Sequence, residues 1–348
     1  MRTLFGTVLL AGLAAGQVQA QLPSAKERED YLAYIVAAAK VEGNLTSDAA
    51  VLDILLFEEQ VAAAAGNRTA DVSITERGLR AEAGVLRAQL SGRVDAAMMD
   101  DVELLARDKR CHRNDPPAEF CARRLDRLAE LAGDNAYYHL MLMTLAWQAG
   151  DSEAFLRHAR AGAAAGHYRS PYMDYYAGLH ARFRQIPDQV APGMGLEEEG
   201  LPRAAVMAMG ISAAYAMPPF QGFSAPCREA EGELRGQCLA IALMQLESSQ
   251  TPIEVSLAAG VVEALGDDEE RRLAGEKRRE AFWRIEKAAE IYNGLTQGKV
   301  PAGYEAYFEN YGTQGELEAA RLLLLANGIA PSPPPEWQSA FYRKPASP

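Results

Sequence analysis

Apolar residues recur at steps of three and four along nearly the whole chain, and no segment alternates apolar with polar residues between turn signals. That spacing gathers side chains into one stripe of a helix, whereas a half-buried strand needs a period of two. The pattern restricts the chain to an all-α fold. Tyr31, Leu32, Ile35 and Val36 open one stripe, which fades at Gly43, and Val51, Leu52, Leu55 and Leu56 form the next. Ile74, Leu79, Leu86 and Leu90 follow at helical spacing, and Ser91-Gly92 is expected to break that helix before Val94, Met98, Val102 and Leu105. In the middle, Gly133, Gly150 and Gly166 act as stops, with Asp134 or Asn135, and Ser152, as caps. Leu201 to Met217 is apolar nearly all round, as a buried central helix would be, and Pro218-Pro219 ends it. Helices are expected near 237–249, 252–265 and 268–296, then over Tyr304–Tyr311 and Leu317–Ala326.

The ends and breaks divide the chain of 348 residues. Residues 1–20 read as a secretory signal peptide: Arg2 is the positive start, Leu4 to Ala15 the apolar run, and Val18-Gln19-Ala20 the small-x-small cleavage pattern. The run is shorter than the roughly 20 residues that span a bilayer, and no later stretch is long and apolar enough to insert. The expected layout is a helical region over 21–184, a Pro-, Gly- and Glu-rich linker or loop over 185–200, a second helical region over 201–330, and a proline-rich tail over 331–348 that is extended or disordered. An exported chain is a periplasmic or secreted one, and that compartment is oxidising. Four cysteines allow three pairings. Cys111 with Cys121 and Cys227 with Cys238 close the shortest loops, each stabilising the fold by about 3 kcal/mol in the chain-entropy picture. Their spacing is far longer than Cys-x-x-Cys, which argues against zinc.

The formal net charge is −12, so phosphate backbones and anionic lipids repel the chain and nucleic acid is not an expected partner. Apolar residues make up 49%, enough for a sizeable core. The two cysteine pairs and the Gly150-Asp151 and Gly266-Asp267 turns repeat at nearly one spacing, a faint internal repeat.

Asn135-Ala136, Leu142, Ala146 and Gly150-Asp151 resemble the first helix and turn of a tetratricopeptide repeat, although Phe155 stands where the second helix of that motif has a small alanine and Met143 replaces another small residue. The Cys111/Cys121 loop before Asp134-Asn135-Ala136, and Ala213-Ala214-Tyr215-Ala216-Met217-Pro218 before the Cys227/Cys238-Leu239 loop, resemble uncharacterised exported α-helical proteins of proteobacteria. The resemblance implies an α-helical, disulfide-stapled exported protein and no particular activity. The expected architecture is thus a set of stacked antiparallel helical hairpins, tetratricopeptide-like, forming a short solenoid with two local disulfides.

No phosphate loop, dinucleotide fingerprint, Gly-x-Ser-x-Gly elbow or His-Glu-x-x-His pair occurs, so no cofactor, metal or catalytic residue is assigned. His139 and His158 can face each other across the Gly150 turn. The binding candidates are tyrosines: Tyr137 and Tyr138, then Tyr168, Tyr172, Tyr175 and Tyr176 at helical steps. They offer apolar bodies with polar tips, the chemistry of a groove wall, and equally that of helix packing. The function expected is a protein- or peptide-binding or scaffolding module. The alternative is an envelope-polymer hydrolase with His139 or His158 as acid/base beside a carboxylate.

Overall fold

The computed structural model describes residues 24–65, 73–107, 118–190, 202–215, 221–293 and 300–339. Among them are fifteen α-helices, one short 3₁₀ turn and no strand. No described helix is long and apolar enough to cross a membrane. Residues 108–117 with Cys111 lie outside the described residues, as do the side chain of Cys121, residues 1–23, on which the expected signal peptide falls, and residues 340–348.

The helices form two compact units whose parts are not consecutive in the chain. Residues 24–100 associate with 174–215, and 101–173 with 221–339, the boundary falling within one helix after Met173.

The first unit contains α1 (Ala25–Lys40), α2 (Leu45–Ala65), α3 (Ile74–Ala97), most of α8 (Tyr172–Phe183) and α9 (Arg203–Tyr215). Ser24 and Glu27 cap α1 reciprocally, satisfying two backbone donors that a helix start leaves free. Leu32, Ile35 and Val36 of α1 and Ala50, Val51 and Ile54 of α2 are buried, while α3 turns Leu90 and Val94 inward. The 74–97 helix runs straight through Ser91-Gly92, where a break was expected. Leu90 and Val94 stand four apart on the buried face, and Ser91 Oγ reaches Asp95 Oδ2 at 3.0 Å. Tertiary packing therefore outweighs the roughly 1 kcal/mol that a mid-helix glycine costs. The core of this unit includes Arg182 at 1% exposure. Its guanidinium donates to the Ala38 and Ala39 carbonyls at 2.7 and 3.4 Å and to Asp48 Oδ1 at 2.5 Å. It thereby satisfies the last carbonyls of α1 and ties α1, α2 and α8. As expected, α9 is apolar nearly all round and buries Ala205 to Met209.

The second unit contains α4 (Val102–Arg107), α5 (Ala118–Leu131), α6 (Ala136–Ala149), α7 (Ser152–Ala163), α10 (Gln221–Arg228), α11 (Gly232–Ser248), α12 (Pro252–Leu265), α13 (Asp268–Asn293), α14 (Tyr304–Gln314) and α15 (Glu316–Ala326). Asn135 caps α6, Gly150 ends it in the left-handed region at φ 71°, and Asp151 caps α7. The result is a tight helical hairpin, which packs further on α11. A Cβ on Gly162 would lie 3.0 Å from Ile241 and 3.1 Å from His139, so the small residue that lets these helices approach is Gly162.

The Cys227–Cys238 bridge forms as expected, with Cα atoms 5.6 Å apart. It closes no open loop: Cys227 lies in the last turn of α10 and Cys238 nearly two turns into α11, so the bridge joins two helices. The 252–265 helix matches its expected bounds, helped by a Thr251/Glu254 capping box and Pro252 in the first turn.

Candidate functional site

All six tyrosines singled out from the sequence are buried, each at 7% exposure or less. None offers an open groove wall in this structure. Tyr137, Tyr138, Tyr168 and Tyr172 belong to the second unit, Tyr175 and Tyr176 to the first. Tyr137 meets Tyr138 and Tyr168 edge to face, with centroids 5.3 and 6.0 Å apart, the preferred geometry of packed rings. The Tyr172 and Tyr311 hydroxyls are 3.0 Å apart.

Tyr168 leads to a buried polar knot. Its hydroxyl donates to Glu254 Oε1 at 3.2 Å and accepts from Gln245 Nε2 at 3.3 Å. The other oxygen of Glu254 accepts from Gln250 N, Thr251 N and Thr251 Oγ1, at 3.1 to 3.2 Å. Burial raises the Glu254 carboxyl above its ordinary value, and these donors, with Ser170, oppose the rise. Glu316 begins α15 close by; burial first, then the Glu254 charge, push it up to about 8. Gly315 makes the approach possible: its φ is +91°, and a Cβ there would sit 2.7 Å from Gln250 Cβ. Leu317 N donates to Gln250 O at 3.1 Å, so α15 is docked on the α11–α12 turn by backbone as well. The knot is a brace, not a cleft. The neighbouring cleft of about 260 Å³ is lined by Gln250, Val255, Lys277, Glu280, Arg284 and Glu318, and Arg284 pairs with Glu280 at 2.5 Å.

His139 and His158 do come together across the Gly150 turn, their rings nearly parallel with centroids 6.3 Å apart. No carboxylate hydrogen-bonds either ring among the described residues. His139 Nε2 lies 3.1 Å from Gly133 O, and its Nδ1 is buried without a partner there. Burial, then the His139 charge, lower His158 to about 4. It is neutral near pH 7, and Asp151 acts on it through its charge but does not hydrogen-bond it among the described residues. His167 lies 3.5 Å from Asp134 on an exposed loop. No group of three or more His, Cys, Asp or Glu among the described residues is placed to hold a metal ion.

The best-built surface is one the sequence did not single out. Residues 330–339, expected to be extended or disordered from Pro331 on, lie in place along α13. They form a non-helical strap, held mostly by its own carbonyls. Trp283 Nε1 donates to Ala330 O at 2.8 Å, and Arg284 Nε to Pro331 O at 3.4 Å. Arg279 donates to Pro335 O at 2.8 Å, to Trp337 O at 3.2 Å, and also to Pro334 O. Pro334 O accepts from Trp337 N at 3.0 Å, folding Pro334-Pro335-Glu336-Trp337 into a turn. The turn sets the Trp337 ring edge-on against Trp283, centroids 5.3 Å apart, with Lys287 Nζ 5.0 Å from the Trp283 centroid. Ser332 and Ser339 add hydroxyl contacts to Glu280 and Glu286. Between the strap, from Pro335 to Ser339, and Gly275, Arg278, Arg279 and Phe282 of α13 a cleft of about 540 Å³ stays open. The sequence signals were present, a triple proline followed by tryptophan and a Trp-bearing helix rich in arginine, but proline-rich composition alone reads as disorder.

No protein-family model matches the chain, and neither a curated protein nor a solved structure matches it.

Proposed function

We propose that this chain is an exported helical binding module that receives an extended peptide segment of a protein partner on α13. The observation that carries the reading is the strap. Proline leaves a peptide with carbonyls and few N–H groups, and α13 meets those carbonyls with an indole N–H and two guanidinium groups. Such a row of donors beside an aromatic ring is the chemistry that grips proline-rich peptides. Export rests on the leader-like residues 1–20. The finer architecture proposed with it is a tetratricopeptide-like stack of hairpins, of which α6–α7 is one, and a second staple between Cys111 and Cys121.

Mild crosslinking in the envelope followed by purification of the full chain tests the role. One protein partner recovered in stoichiometric amount is the expected outcome. A clean monomer that turns over an envelope polymer overturns the reading and restores the hydrolase alternative.

A further inference from the structure

We propose that the α13 groove recognises proline-rich segments of the form Pro-Pro-x-Trp in trans, and that residues 330–339 are its built-in competitor. The inference rests on the binding-module reading and specifies its ligand. Three observations lead to it. First, the groove reads the strap mainly through backbone carbonyls, at Ala330, Pro331, Pro334, Pro335 and Trp337. Any chain with the same turn and the same proline-fixed backbone presents those acceptors, so little in the recognition is private to this tail. Second, the groove engages the Trp337 side chain, packed edge-on against Trp283. The three-residue step from Pro334 to Trp337 is set by the turn hydrogen bond, which gives the ligand a motif and a register. Third, the strap follows α15 and does not fill the surface it lies on: a cleft of about 540 Å³ stays open between Pro335 to Ser339 and Gly275, Arg278, Arg279 and Phe282 of α13.

Tethering sets the strength of competition. A segment joined to its site by a short connection acts at an effective concentration on the order of millimolar. A peptide in trans binds only the fraction of molecules whose strap is away, and its apparent affinity falls in proportion. Weakening the strap without touching the groove therefore exposes the site.

The test is fluorescence anisotropy of a labelled peptide, Ala-Pro-Ser-Pro-Pro-Pro-Glu-Trp-Gln-Ser, titrated with the full chain and with full-chain W337A. W337A is expected to bind at least about tenfold more tightly than the unmodified chain. R279A added to W337A should abolish most of that gain, and a peptide with alanine at its three consecutive prolines should bind neither. P335G, which loosens the strap but keeps Trp337, provides a second opening variant if W337A fails to fold by circular dichroism. Equal binding to the unmodified chain and to both opening variants, or binding that R279A leaves unchanged, overturns the proposal. Failure of the peptide to bind folded P335G while a native partner still co-purifies overturns the α13 site and moves the binding role to another surface of the chain. Peptide binding without any native partner does the reverse.

Discussion

Glu254 and Glu316 are both driven toward the neutral form by burial, yet their surroundings differ. Glu254 has donors on both oxygens and reaches back to the backbone of Thr251, the cap of α12. Glu316 has the Glu254 charge near it instead. Its carboxyl holds a proton up to about 8 in the folded chain against an ordinary 4.5. Between those values the unfolded chain releases the proton and the folded chain keeps it. The stability attached to Glu316 is thus complete below the ordinary value and is lost as pH rises to about 8, then levels off. Glu316→Gln removes this dependence. In urea titrations the variant should match the unmodified chain near pH 5 and exceed it near pH 9, by at most a few kcal/mol because the half-buried carboxyl is partly screened by water. Loss of a negative charge at a helix start works the other way, but costs only about 0.3–1 kcal/mol. A gap of the same size at both pH values would show that Glu316 does not titrate in this window. The sequence made the tyrosines of this knot legible as amphipathic side chains at helical steps. It did not reveal which way they point, because a row of tyrosines fits a groove or a core equally well. The partners that settle the matter, Glu254, Gln245 and Tyr311, lie more than seventy residues away in the chain.

At the scale of elements, local caps were legible and helix interiors less so. Asn135 and Gly150 stand where a cap and a stop were expected, whereas α7 is capped by Asp151 and not by the expected Ser152, and the Thr251/Glu254 box emerges only from the structure. Ser91-Gly92 was misleading for the opposite reason: a glycine that would end an isolated helix is carried by packing on both sides of it. Gly92 is exposed, helical, and has open space where a Cβ would be. Gly92→Ala should therefore raise stability by about 0.5–1 kcal/mol, read as a higher denaturant midpoint with an unchanged slope. A lower midpoint would mean that the glycine serves a bend in α3. The strap belongs to the same lesson in reverse. Prolines rule out helix and ladder, so the sequence rightly withholds regular structure from 330–339, but lack of regular structure is not lack of place. Trp283 and Arg279 supply that place from a helix more than forty residues earlier.

At the scale of the whole molecule, apolar periodicity along the chain carries the all-α class and most helices, but not how they assort. Residues 174–215 join 24–100 because Arg182 completes the end of α1 and reaches Asp48 of α2, a link between positions some 134 apart. Nothing periodic announces such a link: in the sequence Arg182 is one of several arginines, and only its burial with a carboxylate and two carbonyls gives it weight. The cysteines are the long-standing exception, since their chemistry is declared by residue type. The Cys227–Cys238 bridge joins α10 to α11 across a separation of 11 residues, so its loss should act on the unfolded chain more than on the helices. Cys227→Ser with Cys238→Ser is expected to lower unfolding free energy by about 3 kcal/mol while far-UV circular dichroism keeps its helical signal. The same pair reports on compartment. If the chain is exported, protein taken from the envelope carries this bridge intact, begins at Gln21, and yields a peptide joining Cys111 to Cys121 under non-reducing mass mapping. Reduced thiols in freshly isolated protein, with the first twenty residues retained, would place the chain in a reducing compartment. The binding partner would then have to be sought there.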